Sequence, residues 1–184
     1  GCFDTLSQSV IIYSRPTANY SLPASGCGPF ILSIFDMSSG TALVHSWSIS
    51  PNIGVTTVGM NGPNPQFAFQ SPAVDSANYN INLSISDVNG CIDTLTQRFT
   101  VYPKPLAGFV PSNVDSCGPL KVIFTNTSNP NITGETRADM NFYWSFGNGL
   151  SSTDSVPQIT FSNSGVHDSV YTVRLISSNS FGCS

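Results

Sequence analysis

Apolar and polar residues alternate along short stretches of this chain, and turn-forming Gly, Pro, Asn and Asp separate the stretches. In "YNINLSIS" the side chains of Ile81, Leu83 and Ile85 recur at every second position. A period of two places them on one face of an extended strand. Several such segments, about 8–12 residues apart, predict a β-sandwich. In the first half of the chain we predict strands at residues 17–23, 30–37, 43–49, 66–70, 79–87 and 93–102.

The pattern repeats after about ninety residues, a period that indicates tandem structural units. The stretch "GCFDTLSQSVIIYSRP" at Gly1–Pro16 matches "GCIDTLTQRFTVYPKP" at Gly90–Pro105. An insertion, "NITGETRADM" at Asn131–Met140, lengthens the second copy. We therefore predict an all-β chain with two tandem Ig-like antiparallel β-sandwich domains at 16–104 and 105–184. Further matches pair Cys27–Ser39 with Cys117–Asn129, Trp47 with Trp144, and Tyr79–Cys91 with Tyr171–Cys183.

The two ends of the chain fall at the same point of this repeat. Residues 1–15 match the last strand of the first domain, strand G, and precede any domain of their own. The second domain has no stretch that matches strand G. We expect residues 1–15 to be strand G of a preceding repeat, or a donor strand for another copy. The array would then continue in both directions, by covalent chain or by strand donation.

Charge and composition exclude several classes of function. Charged residues are 9% of the chain, and the 6 Lys and Arg residues against 10 Asp and Glu give a net charge of −4. The basic residues are scattered singly, so a nucleic-acid-binding surface is not expected. The longest strongly apolar run, Val10–Tyr13, is far too short to span a membrane. The scarcity of Lys and Glu also argues against many exposed helices.

The residue types that catalysis requires are few in this chain, and their positions in the sequence do not indicate a shared site. His45 and His167 have no counterpart in the other repeat, and Glu135 is the only glutamate, so no paired-glutamate chemistry is available. Asp87 and Asp93 flank the turn between strands F and G, but two carboxylates make a weak case for calcium. We expect no enzyme activity, no cofactor and no metal. Trp47 and Trp144 are predicted to be core residues of strand C.

Five cysteines lie in turns without close metal-type pairs, which indicates disulfides formed in an oxidising, extracellular setting. Cys27 and Cys117 precede strand B, and Cys91 and Cys183 lie at the F–G turn. In an antiparallel sandwich these positions are at opposite ends of one domain, about 26 Å apart for eight-residue strands. A disulfide needs Cα atoms within about 7 Å. This topology favours Cys27–Cys183 between the domains.

The pairs within each domain, Cys27–Cys91 and Cys117–Cys183, are the alternative connectivity. Cys2 occupies the F–G turn position of a preceding repeat. Its partner is therefore expected outside this chain.

"FYWSFGNGLSS" resembles the PKD (polycystic kidney disease) domain family, whose strand C carries Trp-Asp-Phe-Gly-Asp-Gly. Ser145 and Asn148 stand in place of the two aspartates, so the resemblance does not carry a calcium site over. The combination of "CGPL" and "GC-x-DT" is similar to PKD-like arrays in large surface adhesins of gliding bacteria. Four residues of strand C match the family, Trp144, Phe146, Gly147 and Gly149, and four match strand F, Tyr171, Thr172, Val173 and Leu175.

This resemblance implies a structural role at the cell surface. The chain would be a stiff spacer or stalk in an extracellular adhesin or filament, with adjacent repeats or neighbouring copies as its partners. The alternative is an accessory module that binds carbohydrate or another surface polymer. That function needs aromatic side chains exposed along one face, and the exposure of Tyr20, Tyr143 and Phe161 distinguishes the two.

Six of the nine aspartates are followed by Ser or Thr and then, in most cases, by an aliphatic residue. The pattern is similar to the O-glycosylation acceptor motif of the same bacteria, although Asp and Ser also favour ordinary turns. An intact mass of native protein equal to that of the bare polypeptide would exclude glycans. The candidate acceptors are Thr5, Ser76, Thr94, Ser116, Ser155 and Ser169.

Overall fold

The computed structural model describes all residues, Gly1–Ser184, and is built almost wholly from strands. The single helical element is a 3-10 turn at Arg137–Asp139, so no helix is long enough to cross a membrane. The strands are β1 Ser25–Cys27, β2 Phe30–Ser33, β3 Val44–Ser50, β4 Val55–Val58, β5 Gln66–Phe69, β6 Ala77–Ser86, β7 Ile92–Tyr102, β8 Phe109–Pro111, β9 Leu120–Asn126, β10 Asn141–Ser145, β11 Ser151–Ser152, β12 Gln158–Phe161 and β13 Arg174–Ser178.

The strands form four sheets and confirm the predicted all-β fold class. Their orders are β1-β7-β6-β3, β2-β5-β4, β12-β9-β8 and β11-β10-β13. The pairs β3–β6, β8–β9, β9–β12, β10–β11 and β10–β13 are antiparallel, as an antiparallel sandwich requires. The exception is β1, which pairs with β7 in parallel. Sequence alternation did not predict β1, because three residues are too short to show a period.

Strand A of the first repeat, predicted at residues 17–23, is reduced to two isolated bridges. They pair Thr17 with Ser39 and Tyr20 with Asp36. Between them the Ser38 hydroxyl accepts a hydrogen bond from the backbone N–H of Asn19 at 3.0 Å. A side chain therefore takes a position where a continuous strand would have a backbone partner.

The chain folds into two compact units that do not coincide with the sequence repeats. The first comprises residues 1–24, 31–68 and 79–99, and the second comprises 25–30, 69–78 and 100–184. The second unit thus contains the whole of repeat two and three short segments of repeat one. Pairing of β1 with the end of β7, at Ser25–Thr100 and Cys27–Tyr102, lies inside this second unit.

The first unit packs around Trp47, which is 4% exposed. Its indole N–H donates to the carbonyl of Gly62 at 2.9 Å, and Tyr20 packs edge-on against it at 5.0 Å. The Tyr20 hydroxyl donates to the carbonyl of Ile81 at 2.6 Å and accepts from the backbone N–H of Gln97 at 3.0 Å. Burial raises the pKa of Tyr20 above its ordinary value. The predicted strand face of Ile81, Leu83 and Ile85 is buried in this unit.

The second unit has an aromatic core around Trp144, which is fully buried. Its indole N–H donates to the carbonyl of Asp154 at 2.9 Å, so both tryptophans satisfy their one donor with a backbone carbonyl. Phe109 packs against the indole at 5.2 Å and Phe146 stacks on it at 6.3 Å. Both tryptophans are therefore core residues, as predicted. The buried cluster comprises Val122, Phe124, Met140, Phe142, Trp144, Phe146 and Phe161.

Candidate functional site at the junction of the repeats

A disulfide joins Cys27, in the first repeat, to Cys183, in the second. Their Cα atoms are 5.4 Å apart, and both residues belong to the second compact unit. This is the pairing that the topology argument favours. The alternative pairs, Cys27–Cys91 and Cys117–Cys183, are not formed, and Cys91 and Cys117 are free thiols, as is Cys2.

The position of Cys27 is set by β1, which it ends. The register aligns Cys27 with Tyr102, and the N–H of Gly28 donates to the Tyr102 carbonyl at 3.0 Å. Gly28 lies against a second segment of the same unit, where a Cβ on it would come within 2.5 Å of the Ser71 Cα. Glycine is therefore required at this point, since no side chain fits there. The backbone on both sides of Gly28 thus holds Cys27 in place.

Cys183 ends a turn that both repeats build in the same way. In the first repeat the Asp87 carboxylate accepts hydrogen bonds from the N–H groups of Asn89 and Cys91, both at 2.9 Å. In the second repeat the Asn179 side-chain oxygen accepts from the N–H groups of Phe181 and Cys183, at 3.2 and 3.1 Å. A backbone bond closes each turn, from the first residue to the cysteine carbonyl, at 3.1 Å in both.

The side chains that organise the two turns, Asp87 and Asn179, differ in one heavy atom, and this difference acts at the junction. The Asn179 amide donates from Nδ2 to the carbonyl of Pro103 at 3.0 Å, a bond that the carboxylate of Asp87 has no proton to make. Asn179 is 1% exposed, so the donor and acceptor are both withdrawn from water. The N–H groups of Phe181 and Cys183 are therefore hydrogen-bonded within the turn, and the turn is also bonded to the segment that links the repeats.

An aromatic pair lies beside the same turn. The rings of Tyr102, at the end of β7, and Phe181 are 3.9 Å apart and inclined by 12°, a stacked arrangement. The matched residue in the first repeat is Asn89, so this contact is particular to the second turn. Asn179 and Phe181 could have been recognised in the sequence, because they are two of the three places where the repeated turn changes residue type.

The insertion of the second repeat makes a further contact with a segment of the first. The carboxylate of Asp75 accepts from the N–H of Thr133 at 2.6 Å and from its hydroxyl at 2.8 Å. These bonds lower the pKa of Asp75 below its ordinary value. The Asp75 N–H also donates to the carbonyl of Asn131 at 2.8 Å, and the Asn131 amide donates to the carbonyl of Lys104 at 2.7 Å. The insertion is therefore hydrogen-bonded both to Asp75 of the first repeat and to Lys104 in the linker.

The histidine that has a charged neighbour does not form a catalytic arrangement. His45 Nε2 lies 2.9 Å from Asp36 Oδ2, a pair that the sequence analysis missed because the two residues lie nine positions apart on different strand segments. Ser38 donates its hydroxyl to Asp36 and not to the imidazole. A serine nucleophile needs a histidine as its base. Here Ser38 and His45 both bond to Asp36 rather than to each other, so the three residues serve the fold. Burial acts to raise the pKa of Asp36, but the bonds from Ser38 and His45 outweigh it and lower the pKa.

The two aspartates considered for calcium are both engaged by backbone N–H groups. Asp87 accepts within its own turn, and Asp93 accepts from the N–H of Ala18 at 2.8 Å. No group of three or more His, Cys, Asp or Glu side chains is positioned to hold a metal ion. The carboxylates act as hydrogen-bond acceptors in the fold.

The six candidate glycan acceptors are all exposed in the structure, so each hydroxyl is accessible to a modifying enzyme. Of the preceding aspartates, Asp154 bonds locally to Ser152, whereas Asp75 bonds to Thr133 in the insertion. Glycosylation of the six positions stays a prediction. The chain also has Asn-x-Ser/Thr sequences at Asn126 and Asn131. Asn126 is 3% exposed, and the side-chain amide of Asn131 donates to the carbonyl of Lys104.

The three aromatic residues chosen to distinguish a polymer-binding face do not provide one. Tyr20 is 2% exposed and Phe161 is 9% exposed, and both pack in cores. Tyr143 is 51% exposed, which leaves one accessible ring of the three. A row of exposed aromatic side chains at these positions is therefore excluded.

No family model matches this chain, and neither does any curated protein. Solved structures to which this chain is similar include the N-terminal Ig1-2 module of the Drosophila receptor protein tyrosine phosphatase DLAR. It is 14% identical with a TM-score of 0.35, and the match covers 92% of this chain and 93% of that one. The amphioxus IgVJ-C2 molecule is also 14% identical, with a TM-score of 0.33 and coverage of 84% and 98%.

Cadherin domains 3–6 of protocadherin gamma B2 form a third similar structure. They are 10% identical with a TM-score of 0.35, and the match covers 71% of this chain and 35% of that one.

The amide of Asn179 is open to a one-atom test. Asn179→Asp keeps the oxygen that organises the turn but replaces the donor to Pro103 with a carboxylate oxygen facing a carbonyl. We expect the free energy of unfolding in urea at pH 7 to fall by about 2–4 kcal/mol with the disulfide intact. The matched variant Asp87→Asn keeps its acceptor and should change stability by less than about 1 kcal/mol. Equal effects in the two variants would mean that the bond to Pro103 contributes nothing.

Proposed function

We propose that this chain is a structural repeat module of an extracellular surface adhesin or filament, in which it serves as a spacer that resists extension. The observation that carries the proposal is the disulfide from Cys27 to Cys183. It connects residues separated by 156 positions and bypasses nearly the whole of both repeats. A covalent connection of this kind serves a chain that is pulled at its ends.

The bridge determines how far the chain extends under load. A force applied at Gly1 and Ser184 passes along residues 1–27, crosses the disulfide and leaves through Cys183. The segment between the two cysteines carries none of it while the bridge is intact. At about 3.6 Å per residue, the residues outside the bridge extend to about 100 Å, whereas those inside account for about 560 Å. The disulfide therefore prevents most of the extension that complete unfolding would otherwise allow.

Further features support a location outside the cell and a role in an array. A structural disulfide persists in oxidising compartments, whereas thiols are kept reduced in the cytosol. The resemblance to PKD-like arrays in surface adhesins of gliding bacteria supports the same setting. The stacked pair of Tyr102 and Phe181 and the Asn179–Pro103 bond hold successive repeats at a short linker, which suits partners that are adjacent repeats.

Single-molecule force spectroscopy tests this function directly. The full chain is held by handles at Gly1 and Ser184 and stretched until no further extension occurs. We expect a final extension of about 100 Å for the oxidised protein and about 660 Å after reduction. Cys27→Ser should behave like the reduced protein without any reductant, while Cys117→Ser should behave like the oxidised wild type.

The result against the proposal is equally specific. If the oxidised wild type extends as far as Cys27→Ser, the disulfide does not carry the load and the spacer function loses its main support. A Cys117→Ser variant that extends to the longer value would assign the load-bearing bridge to a different cysteine.

A further inference from the structure

Asparagine is followed by glycine at three places in this chain, a pair in which the backbone can react with the side chain. The nitrogen of the second residue attacks the side-chain carbonyl carbon, Cγ, and closes a five-membered ring. Glycine leaves this approach open because it has no Cβ and its backbone turns freely. The local sequence is therefore reactive at each pair, and the fold decides which of them reacts. The pairs are Asn61-Gly62, Asn89-Gly90 and Asn148-Gly149.

The two pairs in the first unit have their attacking nitrogen held in a hydrogen bond. The N–H of Gly62 donates to the carbonyl of Gly59 at 3.0 Å, and the N–H of Gly90 donates to the carbonyl of Asp87 at 3.1 Å. The nitrogen must lose its proton before it attacks. An N–H that is bonded to a carbonyl gives up its proton less readily, because the bond must first be broken. Both pairs are therefore protected at the first step.

Gly149, in the second unit, has no such protection. It lies in the turn between β10 and β11 with a φ of +83°, and its N–H donates to no protein acceptor. The residue is exposed, and a Cβ added to it would meet no atom within 4 Å. Solvent therefore reaches this nitrogen and can remove its proton.

The side chain that this nitrogen would attack is also prepared for the reaction. Asn148 Oδ1 accepts a hydrogen bond from the backbone N–H of Leu150 at 3.1 Å. This local turn holds the side-chain carbonyl beside the Gly149 peptide. Negative charge develops on Oδ1 during the attack, and a backbone N–H that already points at this oxygen stabilises it.

We propose that Asn148 is a site of spontaneous modification, at which the Gly149 nitrogen attacks Cγ and expels the side-chain nitrogen as ammonia. Hydroxide takes the Gly149 proton, the N–Cγ bond forms, and the Cγ–Nδ2 bond breaks as Nδ2 takes a proton from water. Water then opens the cyclic imide. Cleavage of the new N–Cγ bond gives aspartate, and cleavage of the original backbone C–N bond gives isoaspartate. The reaction needs only water and hydroxide, and the inference is independent of the proposed spacer role.

The two products have different effects on the turn. The N–H of Phe146 donates to the carbonyl of Leu150 at 3.2 Å and closes it. Phe146 is fully buried and stacks on Trp144, so the turn is anchored in the core. Aspartate keeps an oxygen for the Leu150 N–H. Isoaspartate adds the Cβ atom to the main chain within the closed turn, and this extra length disrupts the bond from Phe146 to Leu150.

Exposure of the asparagines predicts a different order of reactivity. Asn61 and Asn89 are exposed, whereas Asn148 is only partly exposed. If access to water set the rate, Asn148 would react most slowly of the three. The hydrogen bonds predict that it reacts fastest, so one measurement separates the two explanations.

The test follows all three pairs in the full chain during incubation at mildly alkaline pH in heavy-oxygen water. One sample is folded and oxidised, and the other is reduced and unfolded in urea. Mass spectrometry of peptides counts the labelled oxygen that each conversion introduces. Unfolded, the three pairs should react within about 3-fold of one another, since their local chemistry is the same. Folding should slow Asn61 and Asn89 by at least about 10-fold and leave Asn148 within about 3-fold of its unfolded rate.

Two variants serve as controls. Asn148→Gln should remove the modification at this position without changing the other two pairs, because its longer side chain cannot close the five-membered ring. Asn148→Asp should unfold at nearly the same temperature as the parent, whereas the purified isoaspartyl form should unfold at a lower one. An isoaspartyl form as stable as the parent would contradict the effect assigned to the turn.

The rates themselves decide the proposal. Folding that slows Asn148 as much as Asn61 and Asn89 would overturn it. So would a folded protein in which the more exposed Asn89 reacts faster than Asn148.

Discussion

The disulfide between Cys27 and Cys183 is the constraint on which the rest of the junction depends. It joins the segment that precedes strand β2 in one repeat to the turn that follows β13 in the next. In the chain-entropy description, closing a loop of this length stabilises a fold by about 5 kcal/mol. That is comparable to the whole net stability of many domains. The stack of Tyr102 on Phe181 and the bond from Asn179 to Pro103 lie around it and use the same turn.

The F–G turns of the two repeats have the same hydrogen-bonding scheme and differ in few residues. The F–G turns of the two repeats share their backbone bonds and their side-chain acceptor, and Asp87 and Asn179 differ in a single donor group. That donor is what allows the second turn to bond the linker. Asp75 and Thr133 add a contact from an insertion that the first repeat lacks. The two repeats thus share one fold, while the residues at their contact have diverged.

Much of the fold could be predicted from the sequence because it depends on periodic burial. The alternation at Ile81, Leu83 and Ile85 identified a buried strand face, and the repeat identified both tryptophans as core residues. The disulfide followed from topology, since opposite ends of a sandwich are too far apart for a bridge. Other features had no such signal because they depend on tertiary packing. They are the Asp36–His45 pair, the parallel pairing of β1 and the interruption of strand A by the Ser38 side chain.

Everything at the junction depends on which cysteines are joined. Peptide mapping of the oxidised protein without reduction answers this directly. The account predicts a fragment in which Cys27 is linked to Cys183, with Cys91 and Cys117 as free thiols. A fragment in which Cys27 is linked to Cys91 would contradict it.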